Sequence, residues 1–362
     1  MSARVASLRY MLTNLLLVSF IGALLAGGWL IWVPIALAML VGGPIDELVG
    51  DHAAPIQQRW ARFCDVNLYA TLPLLAGITG LLFWHAAGSS GWAAVLGPAI
   101  GAGYFYALAG VTVAHELTHR TTSSLARLSA RALFALTINP TFETYHVHGH
   151  HRNVGTFDDA ATARRGEHAL AFVMRTIIGQ CVSGWKMEAE RLRGKTMSIF
   201  PIRNRVVVGS LFSLIILGVA AVSAGLAGII AFLAAAAFGR VLHELVNYVQ
   251  HYGLVRVEGT SIEARHSWDC YRDLSNALHY NLPQHADHHM FAAKAFWELA
   301  PAASSPKLPR GYETMALIAL FPPLWHGLID PLLADWDRAL ATDAERSLVQ
   351  ARGWSVGRQS PH

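Results

Sequence analysis

The sequence predicts an all-α membrane protein with six transmembrane helices in three hairpins and a histidine-rich cap on the cytoplasmic side. Three observations predict it. Of the 362 residues, 53% are hydrophobic and 14% charged, against roughly 25% charged in an ordinary soluble domain. Three long stretches, Tyr10–Ile45, Val66–Ala114 and Val206–Gly239, contain no Asp, Glu, Lys or Arg. Four short histidine clusters all fall on the charged segments between or after those stretches.

Taken in order, Arg4 and Arg9 precede the first apolar stretch. A cleaved signal peptide is disfavoured, because the apolar run is too long and no small-residue cleavage site ends it. As one straight helix, Tyr10–Ile45 would be about 54 Å long, well beyond a hydrocarbon core of about 30 Å. Gly27 and Gly28 near its middle divide it into spans at about 10–27 and 29–45. The second stretch is broken at His85–Gly91, where Gly88, Ser89, Ser90 and Gly91 cluster. That gives spans at about 66–85 and 92–114. Gly225 and Gly228 are the turn of the third, with spans at about 206–222 and 226–250. Residues 1–362 thus form a single membrane-embedded domain, with metal-binding segments 115–205 and 251–334.

Charge orients the spans. The three hairpin turns carry no Lys or Arg, whereas 114–205 alone carries thirteen. By the positive-inside rule both termini and all four histidine clusters face the cytoplasm of an inner membrane. The net charge of +4 is explained by arginines beside apolar spans facing anionic lipid, so nucleic acid is not an expected partner. Cys64, Cys181 and Cys270 are scattered and form no CxxC pair. That excludes a fused rubredoxin-like site or zinc ribbon and suits a reducing compartment. Segments 168–183, with Arg175, and 314–333, with Pro322, Pro323 and Trp325, are apolar but read as interfacial. The tail from about 335 reads as a polar cytoplasmic helix or coil.

The clusters read His115-Glu-Leu-Thr-His119, His146-Val-His-Gly-His150-His151, Asn247-Tyr-Val-Gln-His251 and His285-Ala-Asp-His288-His289. Neutral imidazole is the commonest protein metal ligand. Nine histidines exceed the about four to six ligands of one ion and suit two ions with open positions. His115 and His119, four apart, share one helix face. His146 and His150 repeat that step. Neighbours on a helix diverge by about 100°, so His150 and His151 suit different ions, and His285, His288 and His289 offer the same division. No carboxylate recurs at ligand spacing as in a carboxylate-bridged helical bundle. Imidazole alone leaves iron, copper and zinc open.

Candidates to orient the ligand rings are Glu116, Glu143, Glu244, Asp287 and the pair Asp158–Asp159. A direct or bridging role for Asp159 is an alternative. His148, His243, His266 and His279 are candidates for packing or ring-orienting roles near the clusters. His52, His85, His168, His326 and His362 read as surface residues.

These clusters resemble the integral-membrane alkane 1-monooxygenase family, which includes the xylene methyl-group monooxygenases. Its pattern is HELxH(K/R), H-x3-HH, NYxxHYGL and HxxHH, matched here by His115–Arg120, His146–His151, Asn247–Leu254 and His285–His289. The NYVQHYGL stretch discriminates most, because the wider membrane fatty-acid desaturase group shares the other boxes. Similarity continues through Thr156–Glu167, His266-Ser-Trp268, Leu308–Tyr312, Pro322–Trp325 and Asp330-Pro331.

The resemblance implies two non-haem iron ions held by His115, His119, His146, His150, His151, His251, His285, His288 and His289. It implies O2 as co-substrate, one oxygen atom entering a terminal or benzylic methyl group and the other leaving as water. It further implies a separate rubredoxin- or ferredoxin-like electron carrier fed by an NAD(P)H-dependent reductase. Tyr145 and Val147 stand where the alkane branch usually has Glu and Asn. Pro283 and Ala286 depart from the common LQRHSDHH, and Asp335-Trp-Asp337 looks more like the xylene branch.

The expected substrate is a medium- or long-chain alkane or alkyl chain, reached through an apolar slot lined by residues such as Trp84, Phe105, Leu108 and Leu136. The alternatives are a xylene-type alkylaromatic hydroxylase and a lipid or fatty-acyl desaturase using the same site. A membrane metalloprotease matches His115-Glu116-Leu-Thr-His119 as HExxH but leaves the other histidines unexplained. A metal transporter would place its ligands near the membrane midplane, not at one face.

Overall fold

The structure, a computed structural model, describes residues 7–51, 60–88, 91–200 and 202–354. Arg4, His52, Ser89, Ser90 and His362 lie outside the described residues. Among the described residues the chain is helical with no named strand, and extended pairing is confined to isolated bridges Asp51–Arg272 and Asp269–Lys307.

Helix α1 is Met11–Ala26 and ends at Gly27, whose φ of 73° needs the left-handed freedom of glycine. The run Gly28–Val49, α2, begins as a 3-10 turn and contains a π turn at Leu37–Val41. Helix α3 is Ala61–Gly88. Helix α4 runs Trp92–His119 through a π segment at Tyr106–Val111. The expected span at 92–114 therefore continues through the first histidine cluster, which is helical rather than a following loop, and stops at Arg120.

After α5 (Ser124–Ala135), α6 (142–153) carries the second cluster and α7 (Ala169–Arg193) follows. Leu170, Met174, Ile178 and Val182, four residues apart along α7, are all exposed. That single apolar stripe on an isolated face is what an interfacial helix presents to lipid.

Helix α8, Arg205–His251, is capped by the Asn204 side chain, which accepts from Val206 N at 2.9 Å and Val207 N at 3.1 Å. It breaks at Gly225, with φ 58° and ψ −142°. A Cβ on Gly228 would lie 2.4 Å from the Ala220 carbonyl oxygen, whereas eight residues of straight helix would separate them by about 12 Å. The chain therefore bends sharply there, at the expected turn.

Gly28–Val49, Ala61–Gly88, Trp92–His119 and Arg205–His251 are long and apolar enough to cross a membrane, and Met11–Ala26 is a shorter apolar helix. Among the described residues, four long runs stand where five of the six expected spans were placed, because the last run holds two of them.

The remaining helices are α9 (Asp273–Leu278), α10 (His285–Met290), α11 (Tyr312–Ala319), α12 (Pro322–Ala339) and α13 (Asp343–Ala351). The apolar segment at 314–333 is two helices bent by 119°, with Pro322 at the start of the second. Residues 335–354 of the tail complete α12 and form α13, and the rest of the tail lies outside the described residues.

Two cores result. One fills the apolar bundle around Phe20, Leu75, Phe105 and Phe232. The other, around Tyr248, Trp268, Trp325 and Trp336, joins the end of α8 to the C-terminal helices. The contact that matters most for the site is between α4 and α8. A Cβ on Gly103 would come 2.5 Å from the Ala235 carbonyl oxygen, and one on Gly239 would come 2.8 Å from the Gly103 oxygen. The two backbones touch because neither residue has a side chain. His115 and His251 each lie twelve residues beyond this crossing, about 18 Å along the axis at 1.5 Å per residue. Equal offsets from one contact bring two distant clusters to the same level.

Candidate metal centre

The structure brings together all nine histidines singled out from the sequence. They form two groups, His115, His119, His146, His151 and His288 in one and His150, His251, His285 and His289 in the other. Within each group the ligand atoms lie within 4.8 Å of one another. In the larger group, Nε2 atoms approach at 3.1 Å (His119–His146), 3.0 Å (His146–His151) and 3.1 Å (His151–His288). In the smaller, His285 Nε2 is 3.0 Å from both His251 Nε2 and His289 Nε2. The groups adjoin, with the His151 and His289 ring centroids 4.5 Å apart.

Local geometry decides the grouping. His115 and His119, and likewise His285 and His289, use the i, i+4 step of an α-helix. The second cluster does not. Residues His146–His150 form a π turn, whose wider ring aligns i with i+5. His146 therefore pairs with His151 rather than with His150, correcting the four-residue step read from the sequence. His150 turns to the other group, as the divergence of neighbouring positions requires.

The cluster fits a pair of cations. Burial, and the like charge each ring would place on its neighbours, holds His146, His151, His285, His288 and His289 well below the usual imidazole value. A neutral imidazole has one N–H and one lone pair. Several Nε2 atoms meeting at these separations cannot all donate to one another, and His115 Nε2 is buried with no hydrogen-bond partner. Lone pairs converging on a cation resolve both problems. Metal–nitrogen bonds of about 2.0–2.1 Å put adjacent donors roughly 3 Å apart, matching the observed spacing.

Of the acids proposed to orient these rings, Asp159 alone reaches one. Its Oδ2 is 2.9 Å from His150 Nδ1, leaving Nε2 for the metal side. Thr162 Oγ1 donates to Oδ2 at 2.7 Å, and the Tyr145 hydroxyl donates to Oδ1. Burial pushes this carboxyl up, but His150, Tyr145 and Thr162 outweigh it and hold it below the usual carboxylate value. Asp159 thus stands behind a ligand ring, and Asp158 is exposed.

The other acids are occupied elsewhere. Glu116 pairs with Arg120 at 3.0 Å, and Glu143 with Arg131 at 2.9 Å. Glu244 accepts from Gln180 at 2.8 Å, and Asp287 takes Lys294 at 2.9 Å.

Sequence reasoning missed two contributors. Asp269 Oδ1 accepts from Ala286 N at 2.7 Å, anchoring the start of α10, and Oδ2 takes Ser305 at 2.8 Å and Tyr271 at 3.0 Å. Nothing in its spacing marks it. Tyr145 stood out as a departure from the alkane branch, and that departure supplies the hydroxyl on Asp159.

The intermediate histidines divide. His243 packs 4.7 Å from the Phe142 ring, which stacks 4.9 Å from His146. His266 meets Glu345 at 2.8 Å and His279 meets Glu313 at 3.1 Å, while His148 is exposed beside Arg205. Among the histidines read as surface residues, His85 contacts the Leu24 carbonyl at 2.6 Å, His168 caps α7, and His326 pairs with Asp330 at 3.3 Å.

A cavity of about 70 Å³ lies beside the centre, walled by Leu108, Val111 and Thr112 of α4, Leu242 and Val246 of α8, and Leu282. Thr112 and Leu282 each precede a ligand, His115 and His285, by three residues. Of the four lining residues expected, Leu108 alone borders this space. Phe105 packs on Phe20 at 4.9 Å, Leu136 is buried in the bundle, and Trp84 is 61% exposed.

The fatty acid desaturase family profile matches residues 90–319, which include all nine histidines. Alkane 1-monooxygenase 2 of Pseudomonas aeruginosa is 32% identical over 322 residues, covering 83% of this chain and 83% of the relative. Alkane 1-monooxygenase 1 of the same organism is 35% identical over 270 residues, 73% and 69% of the two chains. The xylene/toluene monooxygenase hydroxylase component XylM of Pseudomonas putida is 32% identical over 302 residues, 82% and 81%.

Proposed function

This chain belongs to the fatty acid desaturase family, and on that premise we propose that it is a membrane non-haem di-iron monooxygenase. It hydroxylates a terminal or benzylic methyl group of a hydrophobic substrate, using O2 and two external electrons. The observation that carries this reading is the pair of adjoining all-imidazole groups, with a largely apolar cavity whose lining includes Thr112 and Leu282, each three residues before a ligand. Bound iron supplies the redox chemistry that activates O2. The nine histidines hold it, and Asp159 fixes the tautomer and orientation of His150 by accepting a hydrogen bond from its Nδ1–H. The cavity walls of α4 and α8 keep water away and align a methyl group toward the ligand rings.

The six-span arrangement at about 10–27, 29–45, 66–85, 92–114, 206–222 and 226–250 belongs to this proposal, with both termini and the metal site facing the cytoplasm of the inner membrane. So does a rubredoxin- or ferredoxin-like carrier with an NAD(P)H-dependent reductase. The arginine-rich segment 114–205 supports the sidedness through the positive-inside rule.

The test is oxygen labelling. Purified chain loaded with about two iron per chain, supplied with electrons and isotopically labelled O2, is expected to give alcohol from alkane or alkylarene with the label in the product. Unlabelled alcohol refutes the reading. The same centre could run a desaturation, removing a second hydrogen in place of oxygen insertion, and an alkene product would favour that alternative.

A further inference from the structure

The cavity beside the metal centre is not uniformly apolar. Tyr104, His279 and Glu313 line it together with leucines, valines and alanines. His279 Nε2 and Glu313 Oε1 are 3.1 Å apart. Tyr104 is 3% exposed, and its hydroxyl faces the Glu313 side chain without closing a hydrogen bond of normal length. A buried hydroxyl without a well-formed hydrogen bond costs up to about 1–3 kcal/mol, so a loose Tyr104–Glu313 pair in the wall of a cavity marks a place for a ligand hydroxyl to complete it.

Position adds the second constraint. Tyr104 lies eleven residues before His115 on α4, which is about 16 Å along the axis. The ring also leans toward the N-terminus of its helix, away from the ligands. Tyr104, Ala107, Leu108, Val111 and Thr112 of α4 all line the cavity, and His115 follows Thr112 by three residues, so the lining runs along α4 from Tyr104 to within one turn of the metal ligand.

We propose that this cavity selects an alkyl chain bearing a hydroxyl group, held by Tyr104 and Glu313 at the end remote from the metals. The proposal rests on the monooxygenase reading above. A hydroxyl both donates and accepts. It accepts from the Tyr104 O–H and donates to the Glu313 carboxylate, a pairing that a bare alkane cannot make. His279 positions Glu313 through their contact. The far methyl group is then the one presented to the metal centre. In turnover, one oxygen atom of O2 enters a C–H bond of that methyl and the other leaves as water. Two electrons come from the external carrier and two protons from solvent, so the product carries hydroxyls at both ends.

The test compares decanol with decane on the full chain in lipid nanodiscs, following the thermal midpoint as each is added. Decanol is expected to stabilise the chain at a lower membrane concentration than decane. Tyr104→Phe is expected to shrink that preference by about 3- to 10-fold, the worth of one hydrogen bond. Glu313→Gln, which keeps the shape but weakens the acceptor, provides a second variant should the first fail to fold. Equal stabilisation by the two ligands, or an unchanged preference in the folded variants, overturns the proposal. The readout is binding and does not require turnover. A chain that prefers decanol but oxygenates neither compound refutes the monooxygenase reading alone, and one that oxygenates decane without preferring decanol refutes the hydroxyl site alone.

Discussion

Asp159→Asn changes one atom type behind one ligand ring and is expected to act on one of two metals. The carboxylate accepts from His150 Nδ1 at 2.9 Å and from Thr162 at 2.7 Å, with Tyr145 on its other oxygen. An asparagine fits the same space but offers one acceptor oxygen and a donor amide. Either His150 or the Tyr145–Ala161 side then faces a donor. A hydrogen bond to a charged group is worth about 1.5–3 kcal/mol. Loss of a ring-orienting partner costs roughly 10–100-fold in metal affinity, about 1.4–2.8 kcal/mol by the usual conversion, so the two routes agree. His150 belongs to the four-histidine group, and Asp159 touches no ring of the five-histidine group. Metal per chain, measured by mass spectrometry against graded chelator, is therefore expected to fall in two steps in the variant. About half of the metal should leave at a chelator concentration roughly 10–100-fold lower than in the wild type. Coincident release curves for variant and wild type, or an equal shift of both metals, would refute the reasoning.

Gly239→Ala tests the crossing that levels His115 with His251. The new methyl would sit 2.8 Å from the Gly103 carbonyl oxygen, and overpacking of this kind costs about 1–3 kcal/mol. A lower thermal midpoint together with weaker metal retention is expected, and a variant unaltered in both would show that the crossing does not set the site. Glu345, buried and bonded to His266 at 2.8 Å and to Arg265 at 3.2 Å, tests the C-terminal buttress. Burial pushes its carboxyl up, but the bonds to His266 and Thr342 win and lower it from 4.5 to about 2. A depressed carboxylate stabilises the fold above its unfolded value and loses that contribution as pH falls through the folded one. The stability gap between wild type and Glu345→Gln is expected to be full above about pH 4.5 and to close toward pH 2, read from denaturant midpoints across that range.

Much of this protein was legible in the chain because its signals are local. A stretch without charge must avoid water whatever surrounds it, so the apolar helices stand close to their expected places. Gly27 and Gly225 turn where expected because only glycine adopts those backbone angles cheaply. What failed were inferences that needed a partner. Glu116, Glu143, Glu244 and Asp287 lie as near the histidines in sequence as Asp159 does, yet Arg120, Arg131, Gln180 and Lys294 claim them. Trp84 is apolar like the cavity residues but sits on an outward face of α3.

Residue type and helical period are properties of the chain, and they set the nine imidazoles and the apolar helices that carry them. Tertiary structure decided how those imidazoles divide. A π turn joined His146 to His151, two glycines let α4 and α8 touch, and the fold turned Asp159 rather than its neighbours toward a ring. The physical reason is that a donor set is defined by distances of about 3 Å in space, and spacing along a chain fixes such distances only within a single turn of regular helix.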